Sequence, residues 1–281
     1  MKTCPRCQSS KTIKKNYYYV KVLRTFKRRY LCKDCQKSFS SQTRSPTYYQ
    51  KKPHLNQQLF KLLVQGNSIR GSARILQCSK TTTERKFLWL VKYQNYSSNK
   101  LSCKILQIDE MESIEHTKLK PLTIPLCVSD RYEIVGISVG KIPAKGHLSE
   151  ISQKKYGFRD NERDQALREL FVEIKSRLAV DPEKIITDGA TIYSRYVKEF
   201  FPHAVHEVVI GRYQKEKKRE RLFSAQFKKV FDPMFALNQR CAMLRSDIKR
   251  LTRRSWCTTK KVENLYHHMK LYQEFNNNKS V

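Results

Sequence analysis

The chain of 281 residues carries 57 Lys and Arg against 25 Asp and Glu, a formal net charge of +32, and 39% of its residues are hydrophobic. This length suits a main domain with one or two small ones, and the charge predicts salt-dependent binding to a polyanion, nucleic acid rather than membrane. No stretch approaches about 18 consecutive apolar residues, which argues against a membrane-spanning helix, and the segment MKTCPRC lacks the apolar region of a signal peptide. We therefore expect a cytoplasmic, nucleoid-associated protein whose nine cysteines stay reduced.

Residues 1–45 contain two Cys-x-x-Cys motifs, separated by 24 residues rich in Tyr and Val. Two such motifs joined by β-prone residues are typical of a zinc ribbon, in which four thiolates bind one tetrahedral Zn²⁺. The alternative is four unrelated buried thiols. The candidate zinc ligands are Cys4, Cys7, Cys32 and Cys35. Basic residues between the motifs, Arg28 and Arg29 among them, are expected to lie on strands and to contact phosphates.

Residues 46–98 read as three short helices. Leu59, Leu62 and Leu63 mark an apolar face, and Thr81 with Glu84 predicts a capping box that opens the third helix. Helices joined by a tight turn on a basic background indicate a helix-turn-helix DNA-binding domain. The alternative is a helical packing module without DNA contact. The candidate DNA contacts near the start of the third helix are Lys80, Arg85 and Lys86.

Residues 99–281 change to an α/β pattern. Apolar runs predict strands, and apolar residues at helical spacing predict helices between and after them. The predicted strands are 104–109, 123–128, 133–140, 184–187 and 204–210. The predicted helices are 160–179, 190–201 and two closing helices with apolar stripes at 237–251 and 262–272. The basic run 212–221 reads as a loop or an exposed helix, and a solvated face explains it equally well.

The first 108 residues hold 24 Lys and Arg against two acids, and four carboxylates then arrive within seven residues, at positions 109, 110, 112 and 115. Asp109 ends one apolar strand and Asp188 ends another. If the two strands are neighbours, both carboxylates reach one edge of the sheet and can bind Mg²⁺ or Mn²⁺ for phosphodiester chemistry. The alternative for each aspartate is an ordinary cap of a turn.

A third ligand is open on sequence grounds. Asp232 precedes Pro233 at a helix start, so a role as N-cap explains it fully. Asn238 offers an amide oxygen, Glu263 lies on the last helix, and Glu112 lies near the first aspartate. We rank Asn238 and Asp232 ahead of Glu263.

The chain resembles insertion-sequence DDE transposases that carry a zinc ribbon and a helix-turn-helix before a ribonuclease-H-like catalytic domain. The resemblance rests on the paired cysteine motifs and on the segments IDEMESIEHTKLKPLTIPL, IPAKGHL, TDGATIYSRYVKEFFPHAVH and FDPMFALNQRCAMLRSDIKRLTRRSWCTTKK. It implies a mixed α/β sheet flanked by helices, with Asp109 and Asp188 as the first two catalytic residues. Asn238 stands where related proteins have Glu.

The resemblance also implies the partners. These are double-stranded DNA, both the terminal inverted repeats of an element and the target, and further copies of the chain on that DNA. The helix that carries Asn238 has an Arg-rich face, which would lie beside the scissile phosphate or the element's ends. The Arg residues in question are Arg245, Arg253 and Arg254.

Two other functions compete with a transposase. The missing Glu at 238 motivates a non-catalytic DNA-binding regulator, or an inactivated transposase that still binds its ends. The cluster Tyr17 to Tyr19 motivates a module that binds single strands or RNA by stacking.

Overall fold

The computed structural model describes residues 2–94, 100–209, 232–252 and 257–278. Its first segment is an antiparallel sheet of three strands in the order β1-β2-β3. The strands are β1 (Thr12–Val20), β2 (Thr25–Cys32) and β3 (Ser38–Ser40). Tyr and β-branched residues favour these strands, and Arg24, with φ of 48°, completes the tight connection between β1 and β2.

Three short helices follow, as the sequence predicts: α1 (Leu55–Val64), α2 (Ile69–Ile75) and α3 (Lys80–Gln94). The predicted cap of α3 is wrong. The hydroxyl of Ser79, not that of Thr81, accepts the backbone N–H of Thr82 at 3.1 Å. Glu84 forms an ion pair with Lys80 at 3.2 Å instead of closing a capping box.

The centre of the fold is a mixed sheet flanked by helices. Five strands run in the order β6-β5-β4-β8-β9, and a short sixth strand, β7, pairs with β5. β5 is antiparallel to β4 and β6, whereas β4, β8 and β9 are parallel. The strands are β4 (Ile105–Ile114), β5 (Pro121–Ser129), β6 (Ile134–Ile137), β7 (Gly140–Lys141), β8 (Lys184–Asp188) and β9 (Val205–Val209).

Several predicted elements differ from the structure. The helix predicted for 237–251 ends at Asp247, and Lys249–Leu251 forms a separate 3-10 turn. The strand predicted for 104–109 continues as β4 to Ile114, because Asp109 pairs with Leu126 and Glu112 still pairs with Thr123. The acidic segment is therefore strand rather than turn. The strand predicted for 133–140 divides into β6 and β7.

Helices cover both faces of this sheet. They are α4 (Leu148–Tyr156), which the sequence did not predict, α5 (Arg163–Arg177), α6 (Ile192–Phe200), α7 (Phe235–Asp247) and α8 (Val262–Asn278). Helices α5 and α6 bury apolar residues against one face of the sheet. Helices α1, α3, α7 and α8 share a core with the other face. None of the helices in the described ranges is long and apolar enough to cross a membrane.

The helices before the sheet are joined to the last helix. Leu59 and Phe87 belong to the same hydrophobic core as Leu265 of α8. The imidazole Nε2 of His268 lies 2.8 Å from the carbonyl oxygen of Leu63. Burial lowers the pKa of His268 to about 4, so this ring is neutral at physiological pH.

Candidate active site

Asp109 and Asp188 lie beside each other on neighbouring parallel strands. The register pairs Ile108 of β4 with Thr187 of β8, which places the two aspartates opposite each other one residue further on. Neighbouring strands lie about 4.8 Å apart. Side chains alternate between the two faces of a strand, and this alternation places Asp109 and Asp188 on the face that α7 covers.

The environment of Asp109 disfavours a lone negative charge. Burial, followed by the charges of Asp188 and Glu110, raises the pKa of Asp109 to about 6, although the backbone N–H of Glu110 and the charge of Arg245 act in the opposite direction. That N–H donates to Oδ1 of Asp109 at 2.6 Å. Asp188 accepts the backbone N–H of Ala190 at 3.0 Å. A pair of crowded carboxylates fits a divalent cation, which would relieve the repulsion.

Glu110 is held by its own partners on the opposite face of β4. Its carboxylate accepts two hydrogen bonds from Arg163, at 2.7 Å from Nη2 and 2.9 Å from Nε. Thr123 and Tyr193 also donate to it. A carboxylate with this many donors is a structural anchor rather than a free metal ligand.

The two remaining acids of the cluster are also paired. Glu112 accepts from Lys145 at 2.6 Å on the surface. Glu115 pairs with Arg159 at 3.0 Å, with both side chains less than 20% exposed. These ion pairs leave Asp109 as the one member of the cluster that faces a second carboxylate.

The residues considered for the third position lie at the start of α7. Asp232 accepts the backbone N–H of Met234 at 2.9 Å, but the N-cap of α7 is Met234, so Asp232 stabilises the turn before the helix instead of capping it as predicted. Its other oxygen accepts from Nδ2 of Asn238 at 2.8 Å. Asn238 therefore uses its amide nitrogen within α7 and keeps its amide oxygen for another partner. Glu263 lies exposed in the first turn of α8.

Gln107 fastens this helix start to the strand that carries Asp109. Its Oε1 accepts the backbone N–H of Leu237 at 2.9 Å, and its Nε2 donates to the carbonyl oxygen of Pro233 at 2.9 Å. Gln107 is 8% exposed and lies two residues before Asp109, on the same face of the strand. A single Gln in an apolar strand has no local signature of such a contact, so Gln107 was not among the residues predicted from the sequence.

Arg245 brings positive charge to the aspartates. It lies seven residues, or about two turns, beyond Asn238, so both occupy one side of α7. Its charge lowers the pKa of Asp109, against the larger effects of burial and of the charge of Asp188. Arg253 and Arg254, and the basic run 212–221, lie outside the described residues.

A cavity of about 300 Å³ opens at this edge of the sheet. Its wall includes Asp109, Asp188, Glu110, Glu112, Lys145, Asn161, Arg163 and Tyr193. In the described part of the chain, no third carboxylate or imidazole joins the two aspartates at ligand distance. The donors for a divalent ion here are thus two carboxylates, with the amide of Asn238 as the further candidate from the sequence.

The four cysteines of the first segment come together. Their Sγ atoms all lie within 4.8 Å of one another, with 3.6 Å between Cys4 and Cys35 and 3.5 Å between Cys7 and Cys32. A tetrahedral site with Zn–S bonds of 2.3 Å needs separations of about 3.8 Å. Backbone N–H groups lower the pKa of Cys4 to about 6 and also lower that of Cys32, whereas thiol–thiol contacts and burial raise the pKa of Cys7 and of Cys35, so the fit to a metal rests on the geometry of the four sulfurs. The cluster therefore fits Zn²⁺.

The candidate DNA contacts fall into different environments. Arg28 lies over the ring of Tyr17 at 4.0 Å, and Arg29 lies 5.0 Å from the ring centre of Tyr18. Lys80 pairs with Glu84, and Arg85 is exposed on α3.

An open cleft of about 860 Å³ lies beside Lys80. Its cationic wall residues are Lys52, Arg70, Arg74 and Lys80. Lys52, Arg70 and Arg74 were not among the DNA contacts predicted from the sequence. The spacing of Arg70 and Arg74, four residues apart on one helix, is the signal that could have found that pair.

The prediction that Lys86 contacts DNA is wrong. This residue is 3% exposed, and its Nζ donates to Oδ1 of Asn56 at 2.7 Å. Burial lowers its pKa. Lys86 therefore connects α3 to α1 inside the core and is out of reach of a phosphate.

Comparison with known proteins gives no family assignment. No protein-family profile and no curated protein matches the chain. One similar solved structure is the HTLV-2 integrase catalytic core domain in complex with magnesium, dimeric form, with 14% identity and a TM-score of 0.22 over 52% of this chain and 86% of that chain. Another is a simian T-cell lymphotropic virus intasome in complex with PP2A regulatory subunit B56 gamma, with 13% identity and a TM-score of 0.24 over 59% of this chain and 57% of that chain. Likeness at these scores carries no argument about function.

The first prediction concerns the thiolate cluster. Purified protein is expected to contain one zinc per chain, and Cys4→Ser is expected to lose it because three thiolates hold the ion far more weakly than four. Elemental analysis measures the metal. Cys78→Ser, which changes a thiol outside the cluster, should keep it. Stoichiometric zinc in the Cys4 variant would contradict the site.

The second prediction concerns Asp109 and pH. Its folded-state pKa of about 6 lies above the ordinary 3.8, so the folded protein binds this proton more tightly than the unfolded chain does. The ionised carboxylate of Asp109 therefore lowers the free energy of unfolding. This effect is complete above pH 6 and vanishes below about pH 4. Without divalent metal, Asp109→Asn is therefore expected to raise the free energy of unfolding at pH 7.5 by about 1–2 kcal/mol.

Urea unfolding at pH 7.5 and pH 4 measures this difference. The control is Asp181→Asn, which removes an exposed carboxylate shortly before β8 and should not stabilise the protein. Equal stability of the Asp109 variant and the parent protein at pH 7.5 would show that the carboxylate is not strained.

The third prediction concerns Gln107. Gln107→Met keeps the volume but removes both hydrogen bonds to the start of α7, and the buried N–H of Leu237 loses its acceptor. We expect the free energy of unfolding to fall by about 2 kcal/mol. Gln165→Met, an exposed substitution on α5, is the matched control and should change little. An unchanged urea midpoint for the Gln107 variant would refute this role.

Proposed function

We propose that this protein is a metal-dependent DNA transposase of an insertion sequence, with a ribonuclease-H-like catalytic domain. The observation that carries the proposal is the juxtaposition of Asp109 and Asp188 on neighbouring parallel strands. A buried carboxylate with a raised pKa, beside a second carboxylate on a chain with net charge +32, suits catalysis on a phosphodiester backbone. Among the described strands of the mixed sheet, only β5 runs opposite to its neighbours, and this arrangement supports a ribonuclease-H-like domain.

The two aspartates would hold the divalent ion, Mg²⁺ or Mn²⁺. When bound, such ions activate the attacking oxygen and stabilise the leaving oxygen of the phosphodiester. Asn238 would offer its amide oxygen from α7, in the position that Gln107 fixes against β4. Arg245, whose charge acts on Asp109, would neutralise charge on the phosphate.

The segments before the sheet would bind the ends of the element. The cysteine cluster would act as a zinc ribbon and helices α1 to α3 as the helix-turn-helix, in line with the domain divisions 1–45, 46–98 and 99–281. The cationic cleft beside Lys80 would lie against the phosphate backbone. Pairing and joining two ends would need further copies of the chain, so we propose a homo-oligomer on DNA.

The test is cleavage or joining of DNA that carries the inverted repeats flanking the gene. With Mg²⁺ or Mn²⁺, the parent protein is expected to cut at the repeats, and Asp109→Asn and Asp188→Asn are each expected to lose at least about 100-fold of the rate. The affinity for Mn²⁺, measured by calorimetry, should fall in the same two variants. Asp181→Asn should keep both properties, because its carboxylate lies away from the site and pairs with Lys175.

The second candidate function is DNA binding without catalysis. It is favoured by the lack of a third carboxylate beside Asp109 and Asp188 in the described residues. Normal binding to the repeats, with no cleavage in any divalent ion, would support this alternative over the transposase. Full activity of both aspartate variants would remove the proposed mechanism altogether.

A further inference from the structure

The hairpin of β1 and β2 exposes aromatic rings on one of its faces. Tyr17, Tyr19 and Phe26 are 56%, 50% and 65% exposed. Tyr19 pairs with Phe26 across the strands, and their ring centres are 5.1 Å apart. Tyr17 pairs with Arg28 on the same face, and the guanidinium covers its ring at 4.0 Å. Aromatic side chains this large are rarely left in water without a partner.

Tyr18 is different from its two neighbours. It points to the other face, where its hydroxyl lies 2.8 Å from the hydroxyl of Ser40. The run of three tyrosines therefore divides into one residue that contributes to the ribbon and two, Tyr17 and Tyr19, whose rings stay at least half exposed beside Arg28 and Phe26. The alternation of the strand, rather than the run itself, defines the aromatic face as Tyr17, Tyr19, Phe26 and Arg28.

The charge around this face specifies its partner. Residues 11–33 contain nine Lys and Arg and no acid. An apolar protein surface would leave these cations without opposite charges, whereas a polyanion neutralises them. Flat aromatic rings among cations match a partner that has both phosphates and exposed planar bases. Duplex DNA hides the faces of its bases in the stack, but unpaired nucleotides expose them.

We propose that the aromatic face of the β1–β2 hairpin binds unpaired nucleotides by stacking bases on Phe26, Tyr19 and Tyr17, with phosphates held by the flanking Lys and Arg. The bound segment is a few nucleotides of single-stranded DNA. The interaction adds to duplex recognition and does not depend on the aspartates or on strand cleavage.

The test uses full-length protein carrying Asp109→Asn, so that DNA stays uncut without a chelator that would remove zinc. Binding to a labelled oligo(dT) and to a labelled duplex is measured by fluorescence anisotropy. Phe26→Leu and Tyr19→Leu keep an apolar side chain but remove the π face. Each is expected to weaken binding to oligo(dT) about tenfold and to leave duplex binding and zinc content unchanged.

Two controls make the result specific. Phe26→Tyr keeps a ring and should bind oligo(dT) as the parent protein does. Phe158→Ala removes a ring that is even more exposed, at 84%, and lies far from the hairpin in sequence, so it should have no effect. The salt dependence of binding should stay the same in the Leu variants, because no charge is removed.

Two outcomes would overturn the proposal. Leu variants that bind oligo(dT) as tightly as the parent protein would show that no base stacks on this face. Leu variants that retain zinc but lose oligo(dT) and duplex binding equally would show that the face contacts duplex DNA instead.

Discussion

The parallel pairing of β4 with β8 determines where the rest of the site lies. Leu106 beside Ile185 and Ile108 beside Thr187 leave Asp109 and Asp188 as the next pair. A shift of register by one residue would turn a whole set of side chains to the other face and expose core residues to water. The burial of apolar neighbours therefore places the two carboxylates side by side. Burial, more than the charge of Asp188, raises the pKa of Asp109, and a bound cation would favour its ionised form.

Much of this arrangement could be predicted from the sequence because its signals are local. Apolar runs followed by Asp gave the positions of Asp109 and Asp188, although only Asp188 ends its strand and Asp109 lies inside β4. The spacing of Cys-x-x-Cys gave the thiolate cluster. The mixed α/β sheet and most helices also follow from periodicity. Element ends were less accurate: β4 runs five residues beyond the predicted end, because cross-strand pairing with β5 continues through the charged residues.

The parts that could not be predicted depend on contacts between distant segments. Gln107 reaches Leu237 across 130 residues, and Arg163 reaches Glu110 across 53. Lys86 looks like a surface cation on a basic helix, yet it is buried beside Asn56. A sequence pattern identifies the residue type at such positions, whereas burial and partner depend on which helices pack together.

The last helix also constrains how the chain can fold during synthesis. Helices α1 and α3 place Leu63 and Phe87 in a core that includes Leu265 and Met269 of α8, and the carbonyl of Leu63 finds its partner in His268. The early helices therefore complete their packing only after the ribosome has produced the residues of α8. Until then their apolar faces are open to water, and exposed apolar surface of this kind favours aggregation of a nascent or truncated chain.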